Sequence, residues 1–339
     1  MPSEPSVSPY AAMLDLILAH RRSTAICTAA KLGVADQLES GPKTTRELAS
    51  TLQVQEDPLY RVLRALAGLG IFREGENRTF SQTTLSAVLR TNAAPTLRDA
   101  ATMQLDDWQL HSFQAMGSTI ENGRPALENL FGASFFEYLP AHPDLEVRFN
   151  RAMTDVSSGD APALAAAYDF SGLEHLMDIA GGKGNMLATI LAAAPGLRAT
   201  LFDRASVIEQ AKTDAILAPF ADRCGFVSGD FFESVPEGAD AYLVKHIIHN
   251  WDDERALRIL RNIRRAMKPA NKLLVADRVL GPPNAPDSQK FYDLTMMLIL
   301  GGRERTEEEW QALLSAAGFR ITRILSSGCP LSIIECAPV

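Results

Sequence analysis

Cysteine is scarce in this 339-residue chain: Cys27, Cys224, Cys329 and Cys336 stand apart, and no two of them form a CxxC pair. That spacing excludes a cysteine-based zinc site and a disulfide framework, so free thiols and a reducing, cytoplasmic compartment are expected. No charged-then-apolar leader opens the sequence. The longest apolar stretches, 186–194 and 294–300, fall far below the roughly 20 residues of a membrane span. No block of consecutive Lys or Arg offsets the formal net charge of -8, which disfavours nucleic acid and membrane surfaces as partners. Internal repeats and low-complexity segments are also absent. What is left is a globular protein with a small-molecule partner. Its 46% apolar content can build a sizeable core, and its length suits two units.

Residues 1–100 carry a helical period. Met13, Leu14, Ile17 and Leu18 recur at helical spacing, followed by Ala30, Leu32, Val34 and Leu38. Thr44 and Glu47 form a capping pattern ahead of Leu48 and Leu52. Leu59, Val62, Leu63, Leu66 and Leu69 share one helix face, with Pro58 in the first turn and Gly70 at the end. Residues 71–73 and 79–80 flank a Gly75/Asn77 turn and predict a small hairpin, which completes a winged-helix pattern. Such a pattern raises the question of DNA. Eleven Lys/Arg against ten Asp/Glu up to Asp99 is a poor balance for phosphate binding. Homodimerisation is expected instead, because so short a segment of apolar helices lacks an independent core.

Residues 101–165 read as a further helical linker or substrate lid, whose aromatic residues, Trp108, Phe113 and Phe149 among them, belong to core or line a pocket. From 166 to 339 the texture changes. Apolar runs at 175–180, 198–203, 225–230, 239–246 and 271–280 alternate with helical segments at 185–194, 205–212 and 252–267. Repeated strand-helix units predict a doubly wound, Rossmann-like α/β domain with a parallel sheet. Residues 320–326 and 331–337 are expected to close it as an antiparallel hairpin.

Asp178-Ile179-Ala180-Gly181-Gly182-Lys183-Gly184-Asn185 predicts a strand entering a glycine turn that opens a helix, where a ligand can approach the backbone. Lys183 is followed by Gly184 rather than Ser or Thr, which excludes a P-loop. Leu187 stands where the dinucleotide fingerprint needs its third glycine. Asp203, at the end of the next strand, is placed to accept both ribose hydroxyls, or else caps the helix that follows. Asp230 and Phe231 end the third strand, placed for an exocyclic amine and a purine face, or else form a loop turn. The set Asp178, Gly181, Gly182, Gly184, Asp203, Asp230 and Phe231 suits an adenosine without a phosphate clamp.

Three further segments carry a resemblance: Lys245-His246-Ile247-Ile248-His249-Asn250-Trp251-Asp252-Asp253-Glu254, Gly301-Gly302-Arg303-Glu304-Arg305-Thr306 and Phe149-Asn150-Arg151-Ala152-Met153. Together with the glycine turn they are similar to the signatures of the caffeic-acid-type plant O-methyltransferases and their bacterial relatives acting on aromatic polyketides and phenazines. The resemblance covers nearly the whole chain. It implies a class I methyltransferase domain behind a helical winged-helix dimerisation domain, S-adenosylmethionine as cofactor, and methylation of a hydroxyl on a small aromatic substrate. It places His249 at the catalytic base, with Asp277 and Glu304 as the acids that orient it. It adds Lys245 and Ser157 to the cofactor set. It maps Phe149, Met153, Met296 and Met297 to the substrate pocket, to which Trp108 is added from the aromatic stripe. Two residues depart from the family pattern: Ala180 replaces the first glycine of the turn, and Asp277 is shorter than the usual glutamate.

A phenol with pKa about 10 is mostly protonated at neutral pH. Imidazole, near pKa about 6.5, is a suitable acceptor for its proton. His246 and His249, three apart, can alternatively be a satisfied buried histidine and a helix-flanking one, or metal ligands. No third ligand lies close to them in sequence, and no metal is expected. Two other functions stay open at this level. One is a winged-helix regulator that senses S-adenosylmethionine. The other is an enzyme that uses the cofactor without methyl transfer, for hydroxylation, decarboxylation or cyclisation.

Overall fold

The computed structural model describes residues 8–339, without the side chains of Ser157 and Ser158. The chain divides into two compact units, one of residues up to 110 with 142–156, the other of residues 111–141 with 157–339.

In the first unit, α1 (Pro9–Ile17) and α2 (His20–Leu32) precede β1 (Lys43–Thr44), α3 (Thr45–Leu52), α4 (Glu56–Ala67), β2 (Phe72–Glu74) and β3 (Thr79–Gln82). The three strands pair antiparallel in the order β1-β3-β2. The expected hairpin is present; its added strand β1 has two residues, too few to show a period. Thr44 caps α3 reciprocally, its backbone N–H donating to the Glu47 carboxylate at 2.7 Å. Leu48, Leu59, Leu63, Leu66, Phe72 and Phe80 fill one core, so the segment does have a core of its own, contrary to the expectation drawn from its length. Helix α1 stays outside it: Tyr10, Met13, Leu16 and Ile17 are 57–81% exposed.

α5 (Pro143–Ala167) is 25 residues long and contributes to both units. The second unit continues with β4 (His175–Ile179), α6 (Asn185–Ala193), β5 (Arg198–Asp203), α7 (Ala205–Thr213), β6 (Cys224–Ser228), β7 (Ala241–Lys245), α8 (Asp253–Ala266), β8 (Lys272–Asp277), β9 (Val279–Leu280), α9 (Gln289–Thr295), β10 (Arg305–Thr306), α10 (Glu307–Ala316), β11 (Phe319–Ser326) and β12 (Ser332–Pro338). Seven of these strands form one sheet in the order β11-β12-β8-β7-β4-β5-β6. β4 to β8 run parallel, and the β11/β12 hairpin joins antiparallel through β12.

Side chains alternate between two apolar clusters. Ala241 and Leu243 of β7, with Leu274 and Ala276 of β8, enter one; Tyr242, Val244, Leu273 and Val275 enter the other. Both faces are buried, which is why these strands read as continuous apolar runs. Helix α8 lays Ala256, Ile259, Leu260, Ile263 and Ala266 onto the sheet, and Asp252 caps it by accepting the Arg255 N–H at 2.8 Å.

The run 271–280, expected as one strand, breaks after Asp277. β9 leaves the main sheet and pairs with β10. At the break stands Arg278, whose guanidinium is buried. Its carbonyl is held by the indole N–H of Trp310 at 2.9 Å.

Strand order reverses between β4 and β7, and in doubly wound sheets ligands bind outside the carboxyl ends of the strands at that point. The glycine turn, Asp203, Lys245 and Asp277 all sit at these carboxyl ends. No described helix is long and apolar enough to cross a membrane.

Candidate active site

The turn after β4 is built by its glycines for two reasons. Gly182 (φ 61°) and Gly184 (φ 83°) occupy the left-handed region. Gly181 is needed for space, because a Cβ there would run into the Asp178 carboxylate and Leu201. Ala180 sits at φ 56°, a left-handed position where its Cβ brings local strain that a glycine would not.

Asp203 shapes this turn directly: Oδ2 accepts the Gly182 N–H at 3.0 Å and Oδ1 the Arg204 N–H at 2.7 Å. It does not cap α7, whose N-terminus has no side-chain cap. Each oxygen retains a lone pair for a ligand hydroxyl. Asp178 is fully buried beneath the turn, and neither of its oxygens has a hydrogen-bond partner among the described residues. Burial pushes its pKa up to about 7, against the pull of the nearby Lys245 ammonium. Burial likewise lowers the pKa of Lys245, and the charges of Asp160, Asp178 and Asp277 oppose that shift. An orphaned buried carboxylate calls for a donor, and a ligand carrying an ammonium fits it. Asp230 is exposed and forms a turn with the Phe232 N–H at 2.7 Å; Phe231 beside it is half-buried. The Ser157 side chain lies outside the described residues.

His249 lies in the 3-10 turn just beyond β7. Its Nδ1 is 2.7 Å from Glu304 Oε1 and 3.2 Å from Asp277 Oδ1, and its backbone N–H donates to Asp277 Oδ2 at 3.3 Å. All three residues are buried, at 0–3% exposure. The short side chain of Asp277 reaches because β7 and β8 are neighbours, which brings the backbone close. Burial alone would depress the imidazole, but Asp277 and the charge and hydrogen bond of Glu304 together raise it above the ordinary 6.5, with Arg278 opposing them. Both acids claim Nδ1–H, which assigns Nε2 as the proton-accepting nitrogen.

His246 is different. It sits at φ 56°, burial holds its pKa well below 6.5, and its Nε2 lies 3.6 Å from the Asp160 carboxylate. His246 is half-buried and its Nε2 has no hydrogen-bond partner among the described residues, whereas His249 is buried and hydrogen-bonded to Glu304.

The second signature segment exists to deliver Glu304. A Cβ on Gly302 would run into the His249 carbonyl, and the Arg303 N–H donates to that same oxygen at 2.9 Å. The fully buried Arg305 then ties the turn down, donating to the Trp251 carbonyl at 3.1 Å and to Asp253 at 2.8 Å. Two residues join the cluster without having been signalled by motif. Arg278 Nη1 lies 3.4 Å from Glu304 Oε1, and Asp293 accepts the Glu304 N–H at 2.6 Å. The available signal for Arg278 was a charge standing inside an apolar run, directly after Asp277.

The cofactor and histidine sets thus come together in the second unit. So do Met296, buried, and Met297, half-buried, on a π-helical turn (Met296–Leu300) that follows α9. Phe149 and Met153 share a face of α5 and are half-buried, and Trp108 is buried; all three belong to the first unit. The fold also supplies what the sequence did not show, a third potential ligand: atoms of His246, His249 and Asp277 lie within 4.8 Å of one another. His249 and Asp277 already satisfy each other, however, and the Arg278 guanidinium, 3.5 Å from His246 Nδ1, repels a cation there.

Comparison with known proteins gives the family. An O-methyltransferase domain model matches residues 113–320, and an O-methyltransferase dimerisation domain model matches residues 14–92. The chain is 40% identical over 323 residues to a mitomycin biosynthesis 6-O-methyltransferase of Streptomyces lavendulae, covering 95% of this chain and 92% of that one. It is 38% identical over 327 residues to a phenazine O-methyltransferase of Lysobacter antibioticus, covering 96% of each. Among solved structures, CalO1, a methyltransferase of calicheamicin biosynthesis with SAH bound, superposes with a TM-score of 0.88 at 34% identity, over 98% of this chain and 100% of that one. With its helical dimerisation domain, its Rossmann-like sheet and these relatives, the chain belongs to the O-methyltransferase family and is an S-adenosylmethionine-dependent enzyme.

Proposed function

We propose that this enzyme methylates a phenolic hydroxyl of a small aromatic natural-product molecule, with His249 as general base. The observation that carries the reading is the pair of buried carboxylates on His249 Nδ1, which makes Nε2 a strengthened acceptor. Relatives named for mitomycin and phenazine chemistry support the aromatic substrate class. Bound S-adenosylmethionine supplies an electrophilic methyl group on a sulfonium. Asp203 takes the ribose, Asp230 and Phe231 the adenine, and the opposite charges of Asp178 and Lys245 complement the ammonium and carboxylate of the methionine end.

His249 Nε2 removes the phenolic proton as the oxygen becomes nucleophilic, and Asp277 and Glu304 stabilise the imidazolium that forms. Met296 and Met297, in the same unit as His249, hold the apolar ring so that its oxygen aligns with the methyl carbon. Such alignment contributes up to roughly 7–11 kcal/mol. No metal takes part. Incubated with methyl-labelled cofactor and a panel of hydroxylated aromatics, the enzyme should give a product heavier by the labelled methyl, at a rate that EDTA leaves unchanged. Unlabelled product from a consumed substrate would overturn methyl transfer. A rate lost in chelator and restored by magnesium or zinc would overturn the metal-free mechanism.

Residues 1–100 serve to pair two copies. The dimerisation-domain match and the exposed apolar side chains of α1 support this. Light scattering at micromolar concentration should return twice the chain mass, and a monomer there would refute the pairing.

A further inference from the structure

Asp277 and Glu304 both bear on a nitrogen that carries one proton. Two buried carboxylates around one imidazole favour imidazolium strongly, and an imidazolium cannot accept a proton from a phenol. A base in this setting needs a compensating cation inside the same buried cluster. Arg278 occupies that place. It is 4% exposed, and its Nη1 lies 3.4 Å from Glu304 Oε1 and 3.5 Å from His246 Nδ1. Its Nε donates to Gln289 Oε1 at 2.5 Å, and its plane covers the Tyr292 ring at 3.7 Å. The guanidinium is therefore held on several sides, by groups from α9, from the segment before β10 and from the turn after β7.

With Arg278 in place, Asp277, Glu304 and a neutral imidazole carry one net negative charge, and the imidazolium state is neutral. Without it, the neutral imidazole would leave two negative charges uncompensated. The other groups facing His249 do not fill this role. His246 is kept neutral by burial, and the Lys245 charge, which Asp277 also feels, is shared with Asp160 and Asp178. Tyr292, stacked on the His249 ring at 6.3 Å, has its phenol pushed up by burial and stays uncharged.

We infer that Arg278 is a positioning residue of the reaction: it holds Glu304 against His249 and offsets one carboxylate charge, so the imidazole returns to its neutral, proton-accepting form in the working pH range. The inference rests on the reading of His249 as the base. The influence of Arg278 on the imidazole is downward, opposite to that of the two acids, as this requires.

The test reads the imidazole itself, without substrate. The full-length protein is labelled at histidine Cε1, and the resonance of His249 is identified among the six histidines by its loss in His249→Gln. In Arg278→Met the His249 midpoint should rise by about one pH unit, a tenfold smaller neutral fraction at any pH below both midpoints. Arg278→Lys should bring it back toward the parent value. Calorimetry with S-adenosylhomocysteine should show unchanged binding in both variants, establishing that the fold is intact. An unmoved or lowered midpoint in folded Arg278→Met overturns the inference, and so does an Arg278→Lys midpoint equal to that of Arg278→Met. Should Arg278→Met not fold, Gln289→Leu decides. It releases the outer tether of the guanidinium and should raise the midpoint by a smaller amount, and no rise refutes the proposal. Because the midpoint is read without methyl transfer, failure of His249 as base would appear separately, in turnover.

Discussion

His249→Ala is expected to lower turnover by about 10²–10⁴-fold while leaving affinity for S-adenosylmethionine unchanged, since general-base assistance is lost and the cofactor turn after β4 is untouched. The parent rate should rise with pH through a midpoint above 6.5, the direction in which Asp277 and Glu304 move the imidazole against burial. That acid limb should vanish in the variant. Acidic phenols should lose less than weakly acidic ones, because they ionise unaided. Asp277→Asn and Glu304→Gln should show smaller losses, and neither should add to the loss in His249→Ala, because both act through the imidazole. The same raised pKa links to stability: the pair stabilises the fold below the unfolded midpoint of about 6.5, and that contribution fades as pH rises through the folded midpoint. Steady-state rates across pH decide the matter; a His249→Ala enzyme with parental turnover and the same acid limb would remove His249 from the chemistry.

The second large effect is expected at Asp203. Replacing it with alanine should weaken S-adenosylhomocysteine binding by roughly 10²-fold or more, measured by calorimetry. Hydrogen bonds to a charged acceptor contribute about 1.5–3 kcal/mol each, and two ribose hydroxyls are at stake. The carboxylate also holds the Gly182 N–H at 3.0 Å, so its removal loosens the turn itself. Asp203→Asn, which keeps one carbonyl acceptor, should lose less. Parental affinity in Asp203→Ala would show that the acid serves only the backbone and that the ribose is held elsewhere.

Much of the fold was open to reading because local chemistry and global structure agree. The capping pair Thr44/Glu47, the apolar face of α4 and the alternation of apolar runs with helical segments each express a short-range period that burial then uses. The places where reading fell short are short or charged. β1 has two residues and no period, and the run 271–280 looked like one strand because its apolar residues continue past the charged pair at the break. The shortness of Asp277 bore on its reach only while the register of β7 against β8 was unknown.

The sequence by itself determined the element types, the glycine turn and the identity of the residues gathered around it, since spacing, turn chemistry and apolar period are properties of neighbouring residues. Only the tertiary structure decided how those residues act on one another. It placed two carboxylates on the same nitrogen of His249, left Asp178 without a hydrogen-bond partner among the described residues, turned Asp203 onto Gly182 rather than onto a helix, and put a guanidinium between Glu304 and His246. The physical reason is distance. Electrostatic and hydrogen-bond energies depend on separations of a few ångströms between groups tens of residues apart, and strand register and turn geometry set those separations.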